Sequence, residues 1–121
     1  MSDVPDTTFA LAITAPVPEH GAAVHDLIAA CPPLDRNSLY ANLLQCSHFA
    51  STSAIALEGD EAVGWVSGYI PPASPDTWFL WQVAIAPAAR GRGLAQRLIA
   101  DVLARPACAG VRFLETTITP D

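Results

Sequence analysis

The chain is read as an α/β domain, a mixed central sheet flanked by helices. Three observations predict it. Short apolar strands and amphipathic helices follow one another in the order strand, two helices, three strands, helix, strand. The stretch from Trp78 to Ile118 is a β-α-β unit, whose two strands must run parallel with a right-handed crossover. One strand leads directly into a glycine-rich loop and a helix, Pro87-Ala88-Ala89-Arg90-Gly91-Arg92-Gly93 and onward. A length of 121 residues suits one domain.

Residues 1–8 are polar and expected to be flexible, leaving 9–121 as a single domain. Phe9, Leu11 and Ile13 alternate with small residues as a short strand does. After Pro16 and Pro18, Val24, Leu27, Ile28 and Cys31 recur at the spacing of one buried helix face, ended by Pro32 and Pro33. A second helix is expected from Asp35 to Cys46, capped by Asp35 or Asn37, with Leu39, Leu43 and Cys46 on one side. Ser53 to Leu57 and Ala62 to Ile70 read as strands joined by the turn Glu58-Gly59-Asp60-Glu61. Trp78 to Ile85 is apolar on both faces apart from Gln82, which suggests the middle of a sheet. The helix after the glycine-rich loop presents Leu94, Leu98 and Val102 on one side and stops before Pro106. Arg112 to Thr119 is the last strand, an exposed apolar edge as the chain stands.

Composition narrows the function. The chain is 51% hydrophobic with 15% charged residues, which excludes a disordered chain. Twelve acidic residues against six basic ones give a charge of −6, which argues against a nucleic-acid partner. All six positive residues are arginines, so Schiff-base chemistry on lysine and the lysine-bearing phosphate loop are excluded. Met1 to His20 carries no positive residue or long apolar run, and no stretch has the length of a membrane span. The three cysteines, Cys31, Cys46 and Cys108, show no metal spacing, so no metal is expected. A cytoplasmic protein without a membrane partner is the expectation.

The loop Arg90-Gly91-Arg92-Gly93-Leu94-Ala95 carries the chemistry. Glycines let a ligand approach the backbone at a helix start, where N–H groups are unpaired and the dipole favours an anion. Arg90, Arg92 and Arg97 are half of the positive charge. A dinucleotide fingerprint would need a glycine where Gln96 stands. Arg-x-x-Gly-x-Ala after an apolar strand instead resembles the acetyl-CoA loop of the GNAT superfamily of N-acetyltransferases. The resemblance extends to the diaminobutyrate acetyltransferases of ectoine synthesis. It rests on Cys31-Pro32-Pro33-Leu34-Asp35, Asn37-Ser38-Leu39-Tyr40, Asn42-Leu43-Leu44-Gln45-Cys46 and His48-Phe49. It continues through Gly64-Trp65-Val66-Ser67-Gly68-Tyr69-Ile70-Pro71-Pro72, Trp81-Gln82-Val83-Ala84, Arg105-Pro106-Ala107-Cys108-Ala109-Gly110 and Leu114 to Asp121.

The resemblance implies a GNAT fold, acetyl-CoA as cosubstrate, and acetyl transfer to the side-chain amine of L-2,4-diaminobutyrate. It implies that Val83, Ala84 and Ile85 bind the pantetheine arm and thioester, with the Val83 N–H as oxyanion donor. Arg90, Gly91, Arg92, Gly93, Leu94 and Ala95 then hold the pyrophosphate. For the cationic amino acid, Asp35 is the ammonium-binding anion, with Asn37, Tyr40, Trp81 and Gln82 as further contacts. Glu115 is placed to draw the ammonium proton through a water. Direct transfer needs positioning and an oxyanion donor, not an enzyme nucleophile.

Members of this family continue beyond the position of Asp121 with a further helix and two strands. These close the cofactor groove and often supply a tyrosine that protonates the leaving thiolate. The domain is therefore read as C-terminally truncated, with aggregation or pairing as a homodimer along its open edge as the two expected consequences. Two other readings stay open: a different small-amine acetyltransferase, or a CoA-binding remnant with weak catalysis.

Overall fold

The computed structural model describes residues 11–32 and 38–116. Five strands, β1 (Leu11–Thr14), β2 (Ala54–Glu58), β3 (Glu61–Tyr69), β4 (Thr77–Ile85) and β5 (Phe113–Thr116), form one sheet in chain order. The first four pair antiparallel, and β4 pairs parallel with β5, as the β-α-β reading requires. The helices are α1 (Gly21–Ala29), α2 (Leu39–Gln45) and α3 (Leu94–Leu103).

Alternation along β2 assigns the helices to opposite faces of the sheet. Ala54 and Ala56 pack with Leu94, Leu98 and Val102 of α3, together with Val66 and Trp78. Ile55, between them, packs with Val24, Leu27 and Ile28 of α1, together with Trp65 and Ala84. Side chains one residue apart in a strand point to opposite faces, so the sheet is covered on both sides. The apolar stripes expected for α1 and α3 are the buried ones. Trp65 and Trp78 are both fully buried, one in each layer.

The second helix departs from expectation. It begins at Leu39, where the Ala41 N–H donates to Ser38 Oγ at 3.0 Å, so Ser38 is the cap. Its buried face is Asn42, Gln45 and Cys46, while Leu39 faces outward and Leu43 is partly exposed beside Gly21 of α1. Periodicity located a helix there but not its rotation, because polar side chains with buried partners override the apolar count. His25 of α1 bonds through Nδ1 to Asn42 Oδ1 at 3.0 Å.

A second departure lies in β4. The β3–β4 register slips between Ser67 and Gly68: Ser67 opposes Gln82 but Gly68 opposes Leu80, leaving Trp81 as an extra residue. This bulge turns two consecutive side chains, Trp81 and Gln82, to the same face. It also explains why β4 is not buried along its length as a central strand would be; Trp81 is 40% exposed. At the other end of the chain, β5 is exposed, with Phe113 and Leu114 open to solvent.

Candidate active site

The loop between β4 and α3 is built from backbone geometry. Gly91 and Gly93 have φ of 81° and 69°, the left-handed region that side-chain-bearing residues avoid. Gly93 is the N-cap of α3, and no side chain caps the helix. The first bond across the cap runs from the Arg97 N–H to the Gly93 carbonyl at 3.1 Å. The N–H groups of Leu94, Ala95 and Gln96 therefore have no partner within the helix and point out of its start. Arg90 braces the loop by donating from Nε to the Ile85 carbonyl at 3.1 Å. Arg92 donates to the Ala88 carbonyl at 3.1 Å and pairs with Glu58 at 3.2 Å, so part of its charge is already matched. Arg97 is exposed beside them.

Among the described residues, the strand leading into this loop has an open edge. The Ala86 N–H donates to the Val63 carbonyl at 2.9 Å, which fixes Ala86, Ala84 and Gln82 as the residues bonded to β3. Val83 and Ile85 consequently direct their N–H and C=O groups the other way, toward the side of β5. On that side β5 pairs with Thr77 to Leu80 in the described residues. The Ile85 carbonyl accepts from Arg90 and from the Cys31 thiol, the latter at 3.4 Å. Donors at Val83, Ile85 and the start of α3 thus lie in sequence along one continuous run of backbone.

On the α1/α2 face, the bulge places Trp81 in an aromatic group that pattern reading did not assemble. Phe49, Tyr69, Phe79 and Trp81 line a cavity of about 280 Å³. The Trp81 ring centroid is 6.2 Å from Phe49 and 6.1 Å from Tyr69, both edge-on, and Tyr69 is 5.4 Å from Phe79. Two signals for it were in the sequence: Phe79 and Trp81 two apart in one strand, and Tyr69 just before the prolines that end the preceding strand. Glu115 opposes Phe79 in the β4–β5 register, which brings its carboxylate to this end of the sheet. Gln82, beside Trp81, faces the same side.

The turn that follows Phe49 is tied down by Arg105. Arg105 donates to the carbonyls of Ala50 at 3.1 Å and Ser53 at 2.6 Å, and pairs with Asp101 at 2.8 Å. Thr52 Oγ1 donates to the Gly68 carbonyl at 2.6 Å, and Trp78 Nε1 donates to the Thr52 carbonyl at 3.0 Å. A Cβ at Gly68 would overlap the Trp78 indole, so glycine is needed for this approach.

Other expected residues fall elsewhere. Asp35 and Asn37 lie outside the described residues. Tyr40 is 69% exposed on the outer side of α2 and does not line the aromatic cavity. Burial pushes the Cys46 thiol up to about 11 and also raises Cys108, where nearby Arg105 opposes the rise. Burial thus favours the neutral form of both thiols, which weakens either one as a nucleophile. Among the described residues no cluster of His, Cys, Asp and Glu is arranged to hold a metal, and no helix is long and apolar enough to cross a membrane.

Comparison with known proteins bears on this arrangement. The family model described as Acetyltransferase (GNAT) family matches residues 21–121. The L-2,4-diaminobutyric acid acetyltransferase of Methylotuvimicrobium alcaliphilum is 54% identical over 98% of this chain and 70% of its own length. That of Halomonas elongata is 52% identical over 92% of this chain and 58% of its own. The chain thus spans between 58% and 70% of the length of these relatives. The solved diaminobutyrate acetyltransferase of Paenibacillus lautus, in complex with L-2,4-diaminobutyric acid and coenzyme A, superposes with a TM-score of 0.89 at 36% identity. It is covered over 68% of its length, and 93% of this chain is matched. The open edge of β4, the uncapped start of α3 and these matches together place the chain in the GNAT acetyltransferase family, among the diaminobutyrate acetyltransferases.

Proposed function

We propose that the protein transfers the acetyl group of acetyl-CoA to the 4-amino group of L-2,4-diaminobutyrate, a step of ectoine synthesis. The observation that carries this reading is the β4 bulge. Val83 and Ile85 present backbone donors along one edge of the strand, and Trp81 opens an aromatic cavity on one face of it. A thioester lying along the edge and a small amine on that face would meet near Val83.

In this reading the N–H groups of Leu94, Ala95 and Gln96, with Arg90 and Arg97, receive the pyrophosphate. The Val83 N–H donates to the thioester oxygen as negative charge develops on it. The amine nitrogen attacks the carbonyl carbon, the C–N bond forms, the C–S bond breaks with the electron pair leaving on sulfur, and the proton released by the nitrogen ends on the departing thiolate. Before attack the ammonium must lose a proton, and in this reading Glu115 takes it through a water. Trp81 holds the short cationic chain against an aromatic face. The three cysteines are free thiols, which supports the reducing cytoplasm as the compartment.

The test is thiol release from acetyl-CoA with an acceptor panel of 2,4-diaminobutyrate, ornithine, lysine and putrescine. The highest kcat/KM is expected for diaminobutyrate, with the acetyl group on the 4-amino nitrogen by NMR of the product. Equal rates across the panel would overturn the assignment of the acceptor. Binding of CoA without release of thiol would overturn the transfer reading.

A further inference from the structure

The buried face of α2 is made of amides. Asn42 and Gln45 are fully buried, while Leu39 on the same helix is exposed and Leu43 is only partly covered, against Gly21 of α1. Burial of apolar area alone would turn the helix the other way. A hydrogen-bonded chain holds it as it stands. His25 Nδ1 meets Asn42 Oδ1 at 3.0 Å, Asn42 Nδ2 donates to Gln45 Oε1 at 2.8 Å, and Gln45 Nε2 reaches Ser67 Oγ at 3.5 Å. The chain runs from α1 through α2 to β3. Rotating α2 would strand two buried amides without partners, which is costly.

The helix so fixed leads to the aromatic cavity. Its last residue is Gln45, and four residues later Phe49 forms one wall, its N–H donating to the Leu44 carbonyl at 3.3 Å. The far end of the chain, Ser67, opposes Gln82 next to Trp81, and Tyr69, another wall, is two residues along β3. We infer that Asn42 and Gln45 are positioning residues for the acceptor cavity: they set the rotation of α2 and thereby hold Phe49 against Tyr69 and Trp81. What the cavity accepts rests on the function proposed above; the positioning itself does not.

The variants are Gln45→Ala, Asn42→Ala and their combination, which remove the amides without supplying an apolar side chain that would hold the same face inward. Each single variant leaves the remaining amide without its amide partner, so Tm is expected to fall. The KM for diaminobutyrate is expected to rise about ten-fold, equal to roughly 1.4 kcal/mol, with kcat and CoA affinity unchanged. His25→Ala, at the half-buried outer end, spares the core and should raise the same KM less. Trp81 is more exposed than Trp65 and Trp78, so acrylamide quenching of fluorescence reports on the cavity. Quenching is expected to increase in each variant. Unchanged KM and quenching with a lowered Tm would show that the amides serve packing alone. If the unsubstituted protein does not acetylate diaminobutyrate, the proposed function fails, and the quenching result still decides the positioning role.

Discussion

Gly93→Val is expected to lower CoA affinity by at least about ten-fold while leaving the fold intact. The left-handed conformation at φ 69° costs a side-chain-bearing residue roughly 1–2 kcal/mol. A β-branched residue escapes that strain by turning the peptide plane, which re-aims the N–H groups of Leu94 and Ala95. A Cβ at Gly93 would come within 3.3 Å of the Gln96 side chain, a flexible and exposed neighbour. The effect therefore falls on the helix start and not on the core. Calorimetry with CoA measures it, and thermal denaturation beside it shows whether the core is untouched. Undiminished affinity would remove this loop from the cofactor site.

Trp81→Ala is expected to weaken diaminobutyrate binding by roughly 0.5–2 kcal/mol, the range of a cation held over an aromatic face. CoA affinity should remain unchanged. The residue is 40% exposed and touches Phe49 and Tyr69 edge-on, so its removal opens the cavity without emptying the core. Trp78→Ala is the contrasting control. That indole is fully buried and bonded to the Thr52 carbonyl, and its loss costs about 3–5 kcal/mol of stability. Binding isotherms for the acceptor, read beside Tm, separate the two cases. Loss of stability without loss of acceptor binding in Trp81→Ala would make it a packing residue.

Element order and the parallel β4–β5 pair were legible because each element carries its own period. Val24, Leu27 and Ile28 on α1, and Leu94, Leu98 and Val102 on α3, are buried where spacing places them. The loop at Gly91 and Gly93 was legible because positive φ leaves a mark in residue type. Three features were not. The rotation of α2 is set by hydrogen bonds to His25 and Ser67, residues 17 positions before Asn42 and 22 after Gln45, which no local window contains. The bulge at Trp81 breaks the period of two on which face assignment depends, so Trp81 and Gln82 share a side that alternation would have divided. The cavity joins Phe49 from the end of α2 with residues of β3 and β4, and only the β3–β4 register brings these rings together.

The central claim, that acetyl-CoA lies along the free edge of β4 with its pyrophosphate at the start of α3, is tested most directly by backbone amide NMR during titration with acetyl-CoA. The N–H signals of Val83, Ile85, Leu94, Ala95 and Gln96 should shift together and saturate at one common dissociation constant, while those of Ala84 and Ala86, bonded to β3, move less. Saturable binding that leaves those five signals in place would contradict it.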